Sequence, residues 1–320
     1  MNTSPESPSP VTHRDFAGYR GATPSIRWPE GARVAVSIVV NVEEGAELSL
    51  SMGDERNESI YEAVESVDGA PDLCMESHFE YGTRAGWPRI RKALAERGVK
   101  ATLNANGRAL ALSPWIAEEA VADGHEIAAH GWRWERHVHM SEKEERLAIA
   151  RAVAAIEAAG GSAPIGWHTR SATSVRTRDL LAEHGGFLYD SNAYNDDLPY
   201  LVEVGGHEHV VLPYAFDTND MRFLNGGGFV FAEDFSRYCI EAFERLHAEG
   251  AEAPRMMSVG LHLRIIGRPA RLRGLELFLD HALKRGGVWF ARRDEIAHHW
   301  RDGLGLPRWR PRPVPEGFAR

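Results

Sequence analysis

Cysteine is nearly missing from this sequence, with two residues in 320, Cys74 and Cys239. They lie far apart and lack the spacing of metal ligands, so neither a disulfide framework nor a zinc knuckle is predicted. We interpret both as free thiols of a protein in a reducing compartment.

Long apolar runs and an excess of basic residues are missing as well. No stretch approaches the roughly 18 apolar residues that span a membrane. The net charge is −9, and no basic cluster is present, which argues against nucleic acid or an anionic membrane as a partner. The first residues are polar and rich in Pro and Ser, unlike a secretory signal. We therefore expect a cytoplasmic protein that binds a small molecule.

What the chain does contain is a regular alternation of short β-branched apolar runs with helical patterns and glycine stops. The predicted strands are 33–42, 99–104, 126–130, 164–167, 187–190, 209–213, 256–262 and 288–291. Helical patterns separate most of them, which favours parallel βαβ units. The fold class predicted is α/β, as a single deformed (β/α) barrel of about 7–8 mostly parallel strands. A doubly wound open sheet is the alternative architecture.

The alternation of predicted strands and helices continues without a change of pattern and without a linker, so we predict one folded domain. We assign residues 1–14 to a disordered N-terminal arm, 15–305 to the barrel domain and 306–320 to a C-terminal tail. The polar, Pro- and Ser-rich composition of the first segment cannot bury enough apolar surface to order it.

Polar side chains recur at the carboxyl ends of the predicted strands, where parallel barrels carry their active sites. They are Glu43, Glu44, His130, Trp167, His168, Asp190, Asp217, Asn219, Asp220, His262 and Arg264. The adjacent pair Glu43-Glu44 is the sharpest of these signals, because two nearby carboxylates raise one pKa toward neutrality. The alternative interpretation of the pair is a solvated acidic turn before Gly45.

These residues resemble a known family. Asn41-Val42-Glu43-Glu44-Gly45 is similar in position to the Thr-Phe-Asp-Asp-Gly motif of polysaccharide deacetylases. His130-Gly131 resembles the start of their His-Ser/Thr-x-x-His motif, and the strand ending at His262 resembles their late histidine motif. The closer match is the branch of cofactor-independent allantoinases and related cyclic-imide hydrolases. It extends over roughly 15–300, with further marks at 75–77, 80–86, 185–191, 196–200, 217–223 and 258–269.

The resemblance implies a role for each matched position. Glu43 takes the place of the catalytic base, His262 that of the acid that protonates the leaving nitrogen, and His130 that of the first ligand histidine. Glu44 takes the place of a metal-binding Asp, but Trp134 stands where the second ligand His is expected. We therefore expect no required cofactor, with His130 and Arg264 as donors to the oxyanion. The alternative is Zn or another divalent metal held by Glu44, His130 and, if its loop bends, His137.

Substrate contacts are predicted from the same motifs. The candidates are Glu44, Trp134, Trp167, Arg176, Asn219, Asp220, Arg264, Glu80 and Arg84. The segment 166–178 departs from the branch pattern: it is one residue longer, and Arg176 replaces an Asn. An added Arg favours an anionic group on the substrate, whereas the alternative for Arg176 is a surface position that opens a helix. Glu80 and Arg84 could also be a surface pair at helical spacing.

Three functions remain open at this point. The leading hypothesis is a hydrolase of non-peptide C–N bonds that opens a cyclic amide, ureide or imide ring, with Glu43 as general base and His262 as general acid. The second is a metal-dependent deacetylase of an N-acetylated sugar or another amide, and the third is a non-catalytic member that binds a small molecule. The resemblance also implies a homo-oligomer, a tetramer.

Overall fold

One mostly parallel sheet dominates the computed structural model, which describes residues 14–59, 65–224, 226 and 228–318. The predicted disordered arm thus lies, except for Arg14, outside the described residues. Within them the sheet has nine strands: β1 Val34–Val42, β2 Ala101–Ala105, β3 Glu126–Ala129, β4 Gly166–Trp167, β5 Tyr189–Asp190, β6 Tyr200–Val204, β7 His207–Val211, β8 Arg255–His262 and β9 Val288–Phe290.

The strand order is β6-β7-β5-β4-β3-β2-β1-β8, and β9 pairs with the start of β1. Among the described strands only β6 and β7 pair antiparallel. A bridge from Asn219 to Gly260 ties the segment after β7 to β8, so the sheet curls toward closure. The predicted α/β fold, a deformed barrel of mostly parallel strands, is confirmed.

Strand β1 is the centre of the barrel because both of its faces are covered. All nine of its residues are buried, as expected for a continuous apolar, β-branched run in a parallel sheet. It pairs with β2, β8 and β9. Its carboxyl end therefore delivers Glu43 and Glu44 to the middle of the barrel mouth.

Helices connect most of the strands and cover the sheet. They are α1 Leu73–Tyr81, α2 Trp87–Ala95, α3 Gly107–Leu112, α4 Pro114–Ala122, α5 Glu142–Gly160, α6 Thr177–His184, α7 Ala232–Glu249, α8 Leu263–Ile266, α9 Pro269–Arg285 and α10 Arg293–Gly303. Local sequence signals mark two helix starts: Pro114 is the first residue of α4, and Ser141 and Glu144 form a capping box on α5. No described helix combines the length and the apolar character that crossing a membrane requires.

A π-helical turn, Gly82–Gly86, joins α1 to α2 without a break. Sequence patterns predict α2 but neither α1 nor this turn. A Cβ on Gly82 would lie 2.2 Å from Glu44 Oε1, and one on Gly86 would lie 2.1 Å from the Leu263 carbonyl oxygen. Glycine at these two positions lets the helix pack directly against the barrel mouth.

Candidate active site

A cavity of about 280 Å³ opens at the carboxyl ends of the strands. The side chains around it are Asn41, Glu43, His130, Trp134, Arg136, Val138, His139, His168, Arg170, Ser171, Ala172, Tyr194, Tyr214, Phe216, Asn219, Met221 and His262. Glu43, His130, Trp134, Asn219 and His262 were predicted from the sequence as site residues, and the structure brings them together here.

Glu43 lies at the bottom of this cavity and is 1 % exposed. Its Oε1 is 3.5 Å from Nε2 of His130 and 3.6 Å from Nε2 of His262. Its Oε2 accepts a hydrogen bond of 2.8 Å from Nη1 of Arg264. Burial alone would raise the pKa of Glu43, but His262, Arg264 and His130 together hold it well below its ordinary value. Glu43 is therefore an ionised carboxylate at neutral pH.

His262 is held by a second carboxylate, that of Asp220. Asp220 is fully buried; its Oδ1 lies 2.6 Å from Nδ1 of His262, and its Oδ2 accepts from the backbone N–H groups of His262 and Ile266 at 2.7 and 3.0 Å. Burial would lower the pKa of His262, but Asp220 and Glu43 raise it above its ordinary value of 6.5. The ring is fixed with Nε2 toward Glu43 and favours the protonated form.

His130 is oriented by its backbone surroundings and by a neighbouring ring. Its Nδ1 is 2.8 Å from the His168 carbonyl oxygen and so donates to it. His168 stacks on His130 with ring centroids 5.1 Å apart, and its own Nδ1 donates to the Ser191 carbonyl. Burial, with the neighbouring charges of His130 and Arg293, holds the pKa of His168 well below its ordinary value. His168 is therefore a neutral side chain that lines the cavity.

Glu44 points away from the cavity, although it follows Glu43 directly. Its Oε2 accepts the Glu43 backbone N–H at 3.0 Å, while its Oε1 is buried against Gly82 without a hydrogen-bond donor in the described chain. Burial raises the pKa of Glu44 to about 7. The charge of Arg264 acts in the opposite direction, and the charge of Glu43 adds to the increase. The predicted role of Glu44 as a direct substrate contact is therefore wrong, because its carboxyl group does not line the cavity.

The residues present do not fit the metal that the resemblance allows. Trp134 supplies an indole where a ligand His was expected, and its ring packs edge-on against Phe79 at 6.5 Å. The predicted substitute, His137, is buried and pairs through Nδ1 with Glu145 at 3.0 Å, so that assignment is wrong. Nη1 of Arg264 lies 2.8 Å from Glu43 and 3.9 Å from Glu44, so a guanidinium already supplies positive charge beside both carboxyl groups. Within the described ranges no three His, Cys, Asp or Glu side chains are grouped as a metal site.

Four other predicted substrate contacts are also corrected. Trp167 is fully buried and its indole N–H donates to Thr169. Arg176 donates to the Met140 carbonyl oxygen at 3.0 Å instead of reaching the cavity. Glu80 and Arg84 are 62 % and 77 % exposed and form a long surface pair of 3.9 Å. None of these four side chains lines the cavity.

Two predicted contacts act through other residues. Asp220 and Arg264 lie behind the cavity and hold His262 and Glu43, as described above. The guanidinium of Arg264 also packs over the Phe79 ring, 4.5 Å from its centroid.

Several residues around the cavity carry no clear sequence signal. Asn41 donates to the Tyr214 hydroxyl at 3.1 Å and to the Leu261 carbonyl at 3.0 Å. Tyr214 follows a strand whose end was placed at Pro213, and Arg136 lies in a loop without a pattern. His168 was recognisable as a polar residue at a strand end. Asn41 lies on β1 and begins the motif that carries the resemblance, although it was not predicted as a site residue. Arg136 and Tyr214 could not be identified, because loop conformation alone decides whether their side chains face the cavity.

Comparisons with known proteins show the family to which the chain is similar. Residues 69–186 match the family model described as polysaccharide deacetylase. A protein of Schizosaccharomyces pombe named as a polysaccharide deacetylase is 36% identical over 309 residues, which is 90% of this chain and 96% of that protein.

Solved structures extend the similarity to the whole fold. A Pseudomonas aeruginosa PAO1 protein described as a polysaccharide deacetylase is 43% identical with a TM-score of 0.87, over 91% of this chain and 98% of that one. The Puue allantoinase is 42% identical with a TM-score of 0.87 over the same shares. The chain therefore belongs to the polysaccharide deacetylase family, as a hydrolase of C–N bonds other than peptide bonds in the branch that includes this allantoinase.

Proposed function

We propose that this chain opens a cyclic amide, ureide or imide by adding water across a C–N bond. Glu43 is the general base, and His262, held by Asp220, is the general acid. The observation that carries the proposal is the position of Glu43 Oε1, within 3.6 Å of Nε2 of both His130 and His262. An ionised carboxylate and a protonated imidazole thus face one another in the same small cavity.

The chemistry follows from these two protonation states. Glu43 removes a proton from a water molecule while the oxygen of that water attacks the ring carbonyl carbon. The oxyanion that forms is stabilised by hydrogen-bond donors around the cavity, among which His130 is placed beside the base. His262 gives its Nε2 proton to the departing nitrogen, and the C–N bond breaks. The products are a carboxyl group and an N–H group on one molecule, and return of the proton on Glu43 to His262 restores the resting state.

The size of the cavity supports a small cyclic substrate. At about 280 Å³ it lies at the lower limit of typical small-molecule sites. Its apolar lining includes Trp134 and the stacked rings of Tyr194 and Phe216, whose centroids are 3.9 Å apart. A flat ring can pack against such surfaces while its amide group reaches Glu43. Allantoin, the substrate in the name of one structural relative, is a ring of this class.

A panel of purified rings tests the proposal. Hydantoin, allantoin, 5,6-dihydrouracil and succinimide are each incubated with the wild-type protein, and ring opening is followed by the loss of ring absorbance and by mass. Glu43→Gln should reduce turnover by about 10²- to 10⁴-fold, the usual contribution of a general base. The matched control, Glu118→Gln on the exposed face of α4, should retain wild-type activity.

The two other hypotheses give different outcomes in the same panel. Deacetylation of a sugar, favoured by the names of two relatives, would appear as acetate released from chitooligosaccharides and lost on chelation. A non-catalytic member would bind rings without turning any over. Undiminished turnover by Glu43→Gln would contradict the proposal directly.

A further inference from the structure

The charged side chains around the active-site cavity are strongly unbalanced. Glu43 is the one acid among the Asp, Glu, His, Lys and Arg side chains that line it in the described chain. The others are His130, Arg136, His139, His168, Arg170 and His262. Glu43 is already paired with Arg264 and His262, and His168 is neutral. The positive charges that remain for a ligand are therefore the guanidinium groups of Arg136 and Arg170.

Arg170 provides part of this positive charge in a fixed position. Its guanidinium lies 3.2 Å from the centroid of the Trp134 ring and donates to the Trp134 carbonyl oxygen at 2.8 Å. A long contact of 3.5 Å joins it to Glu58. Stacking on an aromatic face orients the planar group without using all of its donors.

Arg136 lines the same cavity but has no such partner. It is exposed, and its guanidinium makes no hydrogen bond or ion pair with any other described residue. Burial is the main factor that lowers the pKa of Arg170; the charges of Glu58 and Glu43 raise it, and the positive charge of Arg136 makes a smaller contribution that lowers it. Two guanidinium groups that repel each other at a cavity mouth favour an anion between or beside them.

The loops that carry the two arginines are tied together. The Val138 N–H donates to the Ala172 carbonyl oxygen at 3.0 Å. Buried Glu145 accepts hydrogen bonds from Ser174 at 2.6 Å and Thr177 at 2.5 Å, and holds His137 at 3.0 Å. The two loops are thereby fixed to the same buried carboxylate on α5.

Two further features show how closely these loops are constrained. Arg176 donates to the Met140 carbonyl and so links α6 to the loop of Arg136. Ser171, beside Arg170, has a φ of 35°, a strained value for a residue with a side chain, of the kind that clusters at binding sites. An anion bound by the arginines would therefore meet two loops whose backbones are already held in place, with the guanidinium of Arg170 fixed on Trp134.

We propose that Arg136, assisted by Arg170, binds a carboxylate on the substrate. The preferred substrates are then cyclic amides or ureides that carry a carboxylate on the ring or on a short side chain. This inference rests on the proposed function, because it names the substrate class of the same site. Arginine suits the role since its fork of donors matches a carboxylate in two parallel hydrogen bonds.

Matched pairs of rings test the inference by kinetics. Hydantoin is compared with hydantoin-5-acetate, and 5,6-dihydrouracil with its 6-carboxylate. Wild-type kcat/KM should favour the carboxylated ring of a pair by about 10- to 100-fold, the range for one charge-assisted hydrogen-bonded contact. Arg136→Gln should remove this preference by raising the KM of the carboxylated ring, so that kcat/KM becomes similar for the two rings of a pair. Arg237→Gln, an exposed arginine on α7, is the control.

A binding measurement separates this inference from the proposed function. In the Glu43→Gln background, calorimetry should show tighter binding of the carboxylated ring, lost on adding Arg136→Gln and partly restored with Arg136→Lys. Equal affinity for charged and neutral rings, or a preference that survives Arg136→Gln, overturns the inference even where Glu43-dependent ring opening stands. A preference for the carboxylated ring that is lost in Arg136→Gln, together with undiminished turnover by Glu43→Gln, would instead contradict only the proposed function.

Discussion

At the scale of single residues, Glu43 and Glu44 show how two adjacent carboxyl groups acquire different properties. Glu43 faces two imidazoles and a guanidinium, whereas Glu44 turns into a buried space against Gly82 with one oxygen unpartnered in the described chain. The pKa of Glu43 is lowered and that of Glu44 is raised to about 7. The sequence predicts the pair and its place, but the direction of each side chain depends on the π-helical turn.

The first prediction concerns Glu44. Glu44→Gln should change kcat/KM by less than about fivefold, because the amide oxygen can still accept the Glu43 backbone N–H and a group with a raised pKa is often neutral already. Steady-state kinetics on a ring substrate, with circular dichroism as a check of folding, measure this. A loss of about 10³-fold in a folded variant would show that the carboxylate itself is needed, as a metal ligand would be.

The second prediction is the pH dependence of kcat/KM. The lowered pKa of Glu43 places the acid limb below pH 4.5, and the raised pKa of His262 places the alkaline limb above pH 6.5. Activity needs ionised Glu43 and protonated His262, so it should be level between these limits and fall as His262 loses its proton. A pH profile of ring opening measures both limbs.

Asp220→Asn supplies the matched variant for that profile. Removing the charge beside Nδ1 of His262 should move the alkaline limb to lower pH and reduce kcat by about 10- to 10³-fold. A merely structural role for Asp220 would lower activity without moving the limb. An alkaline limb that stays in place would therefore contradict the assignment of this limb to a His262 whose pKa is raised by Asp220.

At the scale of elements, the unbroken run of α1, π-helical turn and α2 packs behind the site, against Glu44 and α8. Glycines inside a helical segment usually indicate an interruption, so the sequence pattern predicts only α2. In the structure Gly82 and Gly86 allow the closest approach to Glu44 and to the backbone of α8. A single π-helical turn beside a functional site is a recurring arrangement.

Gly86→Ala is the prediction at this scale. Its Cβ would lie 2.1 Å from the Leu263 carbonyl oxygen, and this backbone cannot move without shifting α8 and Arg264. We expect a loss of about 1–3 kcal/mol in the free energy of unfolding, as for overpacked cores, together with lower kcat/KM. Urea denaturation measures the first. Gly317→Ala, whose Cβ meets only the Arg146 side chain at 3.5 Å, is the control and should change neither.

Other elements show which parts of the fold the sequence can predict. Buried parallel strands are predicted well, because β-branched apolar runs such as β1 leave no other choice. The antiparallel strand β6 is missed, since its burial is only partial; Gly205-Gly206 before β7, a hairpin signal, could have located it. Capping residues such as Ser141 and Pro114 mark helix starts because their chemistry is local.

At the scale of the whole molecule, the site depends on contacts between distant parts of the chain. Arg264 reaches Glu43 across 221 positions, and the guanidinium stands beside both carboxyl groups. Sequence motifs locate each residue at a strand end but cannot show that this arginine lies beside both Glu43 and Glu44. The same limit explains why the sequence indicates Arg176, and not Arg136, as the residue that binds an anionic group of the substrate.

The assembly of the molecule is a further prediction, taken from the resemblance to the allantoinase branch. We expect a homo-tetramer, so light scattering after size exclusion should give four times the mass of one chain. A mass that stays at that of one chain across micromolar concentrations would contradict the tetramer without affecting the proposed chemistry.

Glu43 and His262 are proposed to open the ring without a metal held by Glu44, His130 and His137. The most direct measurement is the kcat/KM of the protein on its best ring substrate after exhaustive chelation, with the residual metal content determined on the same sample. We expect the kcat/KM of the chelated protein to be unchanged at far less than one metal ion per chain. Loss of activity on chelation, restored stoichiometrically by Zn or another divalent cation, would contradict it.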